Sequence, residues 1–228
     1  MQVVNTLFQR GGNPVSPTVW IPVLAQLDLV VLLLSYRGHK NSSSFRSRIP
    51  LMSRPTISRP GRDEYSAYHE TYISKVPNQN LLQLLEEQVE ETCALLSRVS
   101  ESEADAAYAV GKWTIKEVTG HLVDTERIMA YRLLRVARGD STPLPGFEQD
   151  DYVKGANFRS RTLRSLIEEF RLARASTLAL LQNLDEAVLT RRGVADGKPV
   201  SVRALAYIIA GHERHHVGIL QRQYQLSP

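Results

Sequence analysis

Histidines are concentrated in one short stretch near the C-terminus, residues 204–223, which holds three of the six in the chain: His212, His215 and His216. The apolar residues of this stretch recur with the spacing of a helix that has one buried face. His212 and His216 are four residues apart, so both lie on or beside that face. Neutral imidazole is the commonest protein ligand for zinc, nickel, copper and iron(II). The pair therefore indicates a metal site. His215, about a quarter-turn away, is expected at the rim of this site or on the surface, with exchange of roles with His216 as the alternative.

The same stretch matches the HExxH motif of zinc metalloproteases, in which Glu213 would act as the general base between His212 and His216. A pattern with so few fixed positions recurs often by chance. Only twelve residues follow it, so no downstream third ligand is available. We therefore expect the match to be a coincidence, with Glu213 either facing solvent or paired with a basic neighbour.

A third histidine is available on another predicted helix. Thr114 and Glu117 have the spacing of a capping box, which predicts a helix that runs to about Arg138 and stops at Gly139. His121 lies within the apolar stripe of this helix. Taken alone, an inward-leaning histidine is more often a hydrogen-bonded core residue than a ligand. Together with the pair near the C-terminus, however, it would complete an open site with three protein ligands, the pattern of catalytic metal centres.

Asp124 follows His121 by one helical turn. A carboxylate in this position could accept a hydrogen bond from the imidazole ring, as the partners of metal-bound histidines commonly do. The plainer alternative is a surface residue or a local ion pair with Arg127.

Four long helices are predicted from periodicity and capping residues. The first begins after Asn78 or Asn80 and runs to about Arg98, the second carries His121, the third covers residues 160–184, and the fourth begins after Ser201. Residues 191–200 are expected to be a turn-rich connection. From residue 63 onward the prediction is helical throughout, and the fold class is all-α, a four-helix up-down bundle.

Residues 140–158 form an unusually long connection between the second and third helices. Connections longer than about 12–15 residues are often functional, and an ordinary packed crossover is the alternative. We predict that Phe147 and Tyr152 of this segment, together with Trp113, form the rim of a pocket.

Residues 1–61 differ in composition from residues 62–228, and we predict a domain boundary between them. Six of the eleven prolines and a Ser/Arg-rich run lie in or next to the first part. Residues 1–62 carry eight Lys/Arg and one acid, a net charge of +7, whereas residues 63–228 carry 20 Lys/Arg and 23 acids, a net charge of −3. The first part is therefore expected to be a poorly ordered basic extension or a misassigned translation start, with a peripheral anchoring segment or a signal as the alternatives.

Composition also argues against some classes of partner. The apolar stretch 19–36 is interrupted by Pro22, Gln26 and Asp28, and it lacks the roughly 20 apolar residues of a membrane-spanning helix. The negative charge of the domain gives no sign of a nucleic-acid surface. A single cysteine, Cys93, excludes an internal disulfide framework and fits a cytoplasmic location. Because apolar residues surround it, we expect Cys93 to be buried rather than nucleophilic.

Three segments together resemble the DinB-like superfamily of DNA-damage-inducible and metal-dependent thiol-transferase proteins. They are GKWTIKEVTGHLVDTERIMAYR, PLPGFEQDDYV and VRALAYIIAGHERHHVGIL, and the resemblance spans about residues 59–224. It implies a four-helix bundle that holds a divalent metal, commonly zinc or nickel, through three histidines. On this chain those positions correspond to His121, His212 and His216.

The resemblance also implies a range of functions. Members include bacillithiol S-transferases and a mycothiol-dependent maleylpyruvate isomerase, which implies activation of a low-molecular-weight thiol for transfer to an electrophilic small molecule. A metal-assisted hydrolase and a non-enzymatic metal-binding stress-response protein remain the alternatives. A homodimer is expected, with no nucleic acid or membrane as partner of the domain.

Overall fold

The structure is a computed structural model that describes residues 55–227, so most of the predicted N-terminal extension lies outside the described residues. This part of the chain contains eight α-helices and one β-hairpin. The helices are α1 (Glu70–Ile73), α2 (Leu81–Leu96), α3 (Glu101–Ala104), α4 (Ile115–Ala137), α5 (Gln149–Ala156), α6 (Leu163–Leu181), α7 (Glu186–Leu189) and α8 (Val202–Gln223). Short 3₁₀ turns cover Arg62–Glu64, Ala67–His69 and Phe158–Ser160.

The four long helices begin at side chains that cap them. Asn80, Thr114 and Ser201 each accept a hydrogen bond from a backbone N–H in the first turn, and Thr114 and Glu117 form the predicted capping box. Gly139 adopts φ 78° just after α4, as expected for a glycine that ends a helix. The third long helix begins later than predicted, because Thr162 caps it and a 3₁₀ turn precedes it.

The ends of the long helices fix their directions. Glu101, just after α2, accepts from Lys116 Nζ at 2.9 Å and from the Leu163 backbone N–H at 2.9 Å, so α4 and α6 begin where α2 ends. The Tyr224 hydroxyl donates to the Trp113 carbonyl, so α8 also ends there. Helix α4 packs on α6 and α8, and α2 packs on the same two helices. The four long helices therefore form a square in cross-section. The predicted four-helix bundle is confirmed, and its helices run up, down, down and up.

This order requires the chain to travel the length of the bundle between α4 and α6. The 138–162 connection does so, and it contains α5. Its end packs tightly on α4, because a Cβ atom at Gly120 would overlap the ring of Phe158. The segment is thus a packed crossover, and residues 146–149 also line a pocket described below.

A β-hairpin replaces the turn-rich connection expected at residues 191–200, and the prediction of helix throughout was wrong here. Strands β1 (Arg192–Ala195) and β2 (Lys198–Ser201) pair antiparallel, with Arg192 opposite Ser201. Asp196 (φ 54°) and Gly197 (φ 66°) form the turn. Two successive residues with positive φ match the twist of paired strands, and Asp-Gly is a strong signal for such a turn.

Residues 55–61 pack on the bundle although the sequence placed them in the extension. Ile57 is buried, and its carbonyl accepts from the Tyr207 hydroxyl at 3.3 Å. Arg59 donates to the Ile73 carbonyl at 2.9 Å. The packed region therefore starts before the predicted boundary at residue 62. Within residues 55–227, no helix is long and apolar enough to cross a membrane.

Cys93 is fully buried in the core between α2 and α6, as predicted. Burial raises the pKa of its thiol to about 11, so the thiol is protonated at neutral pH. Cys93 is therefore a core residue and not a nucleophile.

The close approach of α1 to α8 depends on Gly211, which lies beside His212. A Cβ atom there would overlap the backbone carbonyl of Tyr72. We expect Gly211→Ala to lower the free energy of unfolding by about 2–3 kcal/mol, because backbone must move to admit the methyl group. Gly155→Ala is the matched control, since nothing lies within 4 Å of its added Cβ and alanine favours helix. Urea denaturation of both variants checks this, and equal stabilities would contradict the close approach.

Candidate metal centre

Three histidines from two helices meet in the bundle. His121 comes from α4, whereas His212 and His216 come from successive turns of α8, and one ring nitrogen of each lies within 4.8 Å of the others. The Nε2 atoms of His121 and His212 are 3.0 Å apart. The three side chains are buried, with exposures of 2%, 6% and 8%. The structure thus brings together all three histidines that the sequence singled out.

The donor set fits a divalent metal ion. Burial lowers the pKa of His121 to about 4 and of His216 to about 2, and it places the pKa of His212 well below its ordinary value. All three rings are therefore neutral at pH 7, with lone pairs available for coordination. Nitrogens each about 2.0–2.1 Å from a tetrahedral zinc ion lie about 3.3 Å apart. The His121 and His212 Nε2 atoms, 3.0 Å apart, are close to that spacing, and the three donor atoms lie within 4.8 Å of one another.

The hydrogen-bond partner of His121 is Thr125 and not Asp124. The Thr125 hydroxyl lies 3.4 Å from His121 Nδ1, one turn further along α4. With its hydrogen on Nδ1, His121 donates to this hydroxyl and turns the lone pair of Nε2 toward His212. Asp124 is half-buried near Arg127, and burial raises its pKa. The predicted role of Asp124 beside the histidine is therefore not supported by the geometry.

Glu213 is buried and faces away from the histidines. Its carboxylate accepts from Arg174 at 2.9 Å, from Thr92 at 2.7 Å and from Gln88 at 3.3 Å. Of the two expectations for Glu213, pairing with a basic residue is correct and exposure to solvent is wrong. These donors hold the carboxylate of Glu213 away from the histidines, so Glu213 is not placed to act as a general base. The geometry therefore agrees with the expectation that the HExxH match is a coincidence.

Arg174 lies at the centre of this network and is only 1% exposed. It donates two hydrogen bonds to Glu126, at 2.7 Å and 2.8 Å, and one to the Leu85 carbonyl at 2.9 Å. Glu126 and Glu213 directly follow Thr125 and His212 in sequence. The ion network thus fixes the positions of the α4 and α8 backbones that carry the histidines.

Two pockets adjoin the histidine cluster. The first has a volume of about 270 Å³ and is lined by His121 and His212. The second has a volume of about 410 Å³ and is lined by His216 and His215. The side chains that line both pockets are Tyr68, Tyr72 and Gln149. The cluster can therefore be reached from two sides.

The three aromatic residues predicted for the rim occupy different places. Trp113 lines the second pocket, with its ring 4.8 Å from that of His121 and 6.5 Å from that of His216. Phe147 lines the first pocket. Tyr152 is exposed and packs on Phe147 at 5.3 Å, but it does not line either pocket.

His215 lies at the rim as expected. It is half-buried in the second pocket, with its ring 5.0 Å from His216 and 5.5 Å from Tyr72. Its Nδ1 atom is buried and has no hydrogen-bond partner among residues 55–227.

Sequence reasoning missed several residues of the site. Tyr68 and Tyr72 precede the first long helix and gave no periodic signal. Thr125 and Arg132 were accessible in principle, because they follow His121 by four and eleven residues and so share its helix face. Arg174 could not be paired with its partners from sequence, since Glu126 and Glu213 lie 48 and 39 residues away.

The sequence of this chain matches a known protein family. The model of the DinB superfamily matches residues 84–220, more than half of the chain. The chain belongs to the DinB superfamily. No curated protein matches the sequence of this DinB protein.

Solved structures share its fold. YfiT from Bacillus subtilis, described as a probable metal-dependent hydrolase with an unusual four-helix bundle topology, matches with a TM-score of 0.57 and 16% identity, over 67% of this chain and 91% of YfiT. The mycothiol-dependent maleylpyruvate isomerase matches with a TM-score of 0.52 and 16% identity, over 64% of this chain and 61% of the isomerase. At such identities the likeness establishes the fold alone.

Removing one member of the buried ion network should destabilise the bundle strongly. We expect Arg174→Ala to lower the free energy of unfolding by about 3–5 kcal/mol, because it leaves two buried carboxylates without their cation. Arg171→Ala is the matched control on the same helix. Arg171 pairs with Glu90 at the surface, and exposed pairs contribute about 0–1 kcal/mol. Chemical denaturation measures both, and an equal loss in the two variants would contradict the role given to Arg174.

Proposed function

We propose that this DinB protein is a divalent-metal-dependent enzyme in which His121, His212 and His216 hold the ion. The observation that carries the proposal is the convergence of three neutral, buried imidazoles between two pockets. Three protein ligands leave coordination positions free, which is the arrangement of catalytic rather than structural sites. Zinc or nickel suits a set composed entirely of imidazole nitrogens.

The reaction we propose is the transfer of a low-molecular-weight thiol to an electrophilic small molecule. An ion held by the three histidines would lower the pKa of a coordinated thiol, so that its proton passes to solvent and the thiolate attacks the electrophile, either adding to it or displacing its leaving group. Two pockets that flank one cluster supply space for two reactants, which favours a transferase. Thr125 keeps the His121 ring in place, and Trp113 covers one side of the histidines and limits their contact with water. A mycothiol-dependent isomerase among the structures with the same fold supports this choice.

Hydrolysis in the same pockets is the second candidate, in which water takes the place of the thiol. It is favoured by the likeness to YfiT, which is itself described as a probable metal-dependent hydrolase. A metal-binding protein of the stress response without catalytic activity is the remaining alternative.

Metal analysis of the purified full chain tests the ligand set. We expect about one zinc or nickel ion per chain in the wild type and less than about one-tenth of that in His121→Ala, because two imidazoles alone bind weakly. His215→Ala is the control, since His215 adjoins the cluster without joining it, and it should keep the wild-type metal content. Equal and negligible metal in the wild type and His121→Ala would refute the site.

Conjugation assays test the reaction. The metal-loaded protein is incubated with bacillithiol, mycothiol or glutathione and an aromatic chloro-dinitro electrophile, and conjugate formation is followed by absorbance. We expect one thiol to react at least about tenfold faster than without protein, and chelation to abolish the gain. Hydrolysis of ester or amide substrates without any thiol response would favour the second candidate. Inactivity in both assays with metal bound would favour the non-catalytic alternative.

A further inference from the structure

Arg132 is a buried cation in the first pocket that lacks an acidic partner. Its side chain is 5% exposed, and it donates to the Pro145 carbonyl at 2.6 Å and contacts the Met129 sulfur at 3.7 Å. Among residues 55–227 its hydrogen-bond acceptors are these two groups, and no carboxylate forms an ion pair with it. Arginine is almost never this buried unless it is paired, and Arg174 in the same bundle meets two carboxylates. The buried guanidinium of Arg132 thus has no carboxylate in direct contact within the described chain, which leaves its charge available to an anionic ligand.

The other charged side chains of this pocket do not fill that role. Asp196 lies near enough to Arg132 to oppose the lowering of its pKa by burial, but it is exposed, forms no ion pair with the guanidinium and instead pairs with Lys198 at 2.9 Å. Glu148 is exposed at the mouth. Burial lowers the pKa of His69 to about 4, so its ring is neutral at pH 7. The buried charge of the pocket at neutral pH is therefore the guanidinium of Arg132.

Arg132 and the histidines occupy opposite ends of the same pocket floor. His121, Thr125, Met129 and Arg132 all line the pocket from one face of α4. Eleven residues of helix separate the backbones of His121 and Arg132 by about 16 Å, and long side chains on a helix lean back toward its N-terminus. A small elongated molecule could thus place one end on Arg132 and the other beside the histidines.

The walls next to Arg132 are aromatic. Its guanidinium carbon lies 5.7 Å from the centre of the Phe147 ring, and Tyr68 and Tyr72 line the same pocket. Contact with Phe147 holds the guanidinium in one orientation, and its planar set of N–H donors matches a carboxylate with two parallel hydrogen bonds.

We propose that Arg132 binds a carboxylate group, and that the electrophile of the reaction proposed above is a small carboxylic acid whose reactive carbon lies toward His121 and His212. The reaction rests on the proposed function, whereas the anion subsite rests only on Arg132 and its pocket. Arg132 is accordingly a substrate-binding residue that sets specificity, at the end of the pocket remote from the chemistry.

The test compares benzoate with benzamide, which has the same shape without the charge. Calorimetric titration of the full chain should show benzoate binding at least about tenfold more tightly than benzamide, as a charge-assisted pair is lost with the amide. Because a carboxylate could also bind at the histidines, the titration is repeated after chelation of metal. The preference should persist, and its disappearance on chelation would overturn the subsite. Equal binding of the two probes to the wild type would overturn it as well.

Variants of two arginines in α4 test whether Arg132 causes the preference for benzoate over benzamide. Arg132→Gln should reduce it to about twofold or less, and Arg127→Gln, an exposed arginine of α4 outside this pocket, should leave it unchanged. Arg132→Lys keeps the cation without the planar donors and should retain a smaller preference, which also covers the case in which Arg132→Gln does not fold. A full preference in either Arg132 variant would overturn the assignment.

The two proposals fail differently. Benzoate preference without any thiol conjugation would support the subsite and refute the reaction. Conjugation at equal rates of electrophiles with and without a carboxylate, together with equal binding of the two probes, would support the reaction and overturn the subsite.

Discussion

One buried guanidinium connects the four long helices of this protein. Arg174 of α6 bonds to Glu126 of α4, to Glu213 of α8 and to the Leu85 carbonyl of α2. Two carboxylates and one guanidinium removed from water are costly unless each finds a partner, and here the partners come from different helices. The network can therefore form only when the helices have their native rotation and height. That requirement sets the positions of Thr125 and His212, the neighbours of the two glutamates.

The histidine cluster and the two acids of the ion network come from the same two helices, α4 and α8. On α8 the side chains of His212 and Glu213 point in different directions, one toward the cluster and the other toward Arg174. A helix places successive residues about 100° apart, so a single residue step separates the neutral histidine cluster from the charged network around Arg174. The resemblance of residues 212–216 to a protease motif follows from this adjacency and not from shared chemistry.

The order of the helices creates the pockets. Because α4 and α6 run in the same direction, the 138–162 connection must return along the bundle, and it carries Phe147 over the first pocket as it does so. The β-hairpin adds Asp196 and Lys198 to the mouth. Both features lie outside the four long helices, so proteins of this superfamily could keep the bundle while changing the pocket.

The sequence by itself determined the local features. The caps at Asn80, Thr114 and Ser201 depend on side chains and backbone groups a few residues apart, and the i,i+4 spacing of His212 and His216 places both on one helix face. The apolar stripe of the helix predicted after Thr114 supplied His121 as the third candidate, and the family resemblance pointed to the same residue. The Asp196-Gly197 turn of the hairpin is equally local, so the hairpin was predictable from the sequence.

Tertiary structure alone decided the rest. Which acids pair with Arg174, and why no acid contacts Arg132, depend on the rotation and pairing of helices far apart in sequence. These pairings are determined by the packing of the helices and by the need to pair the buried charges of the whole bundle at the same time. No window along the chain contains that information, because the interacting groups become neighbours only when the helices assemble.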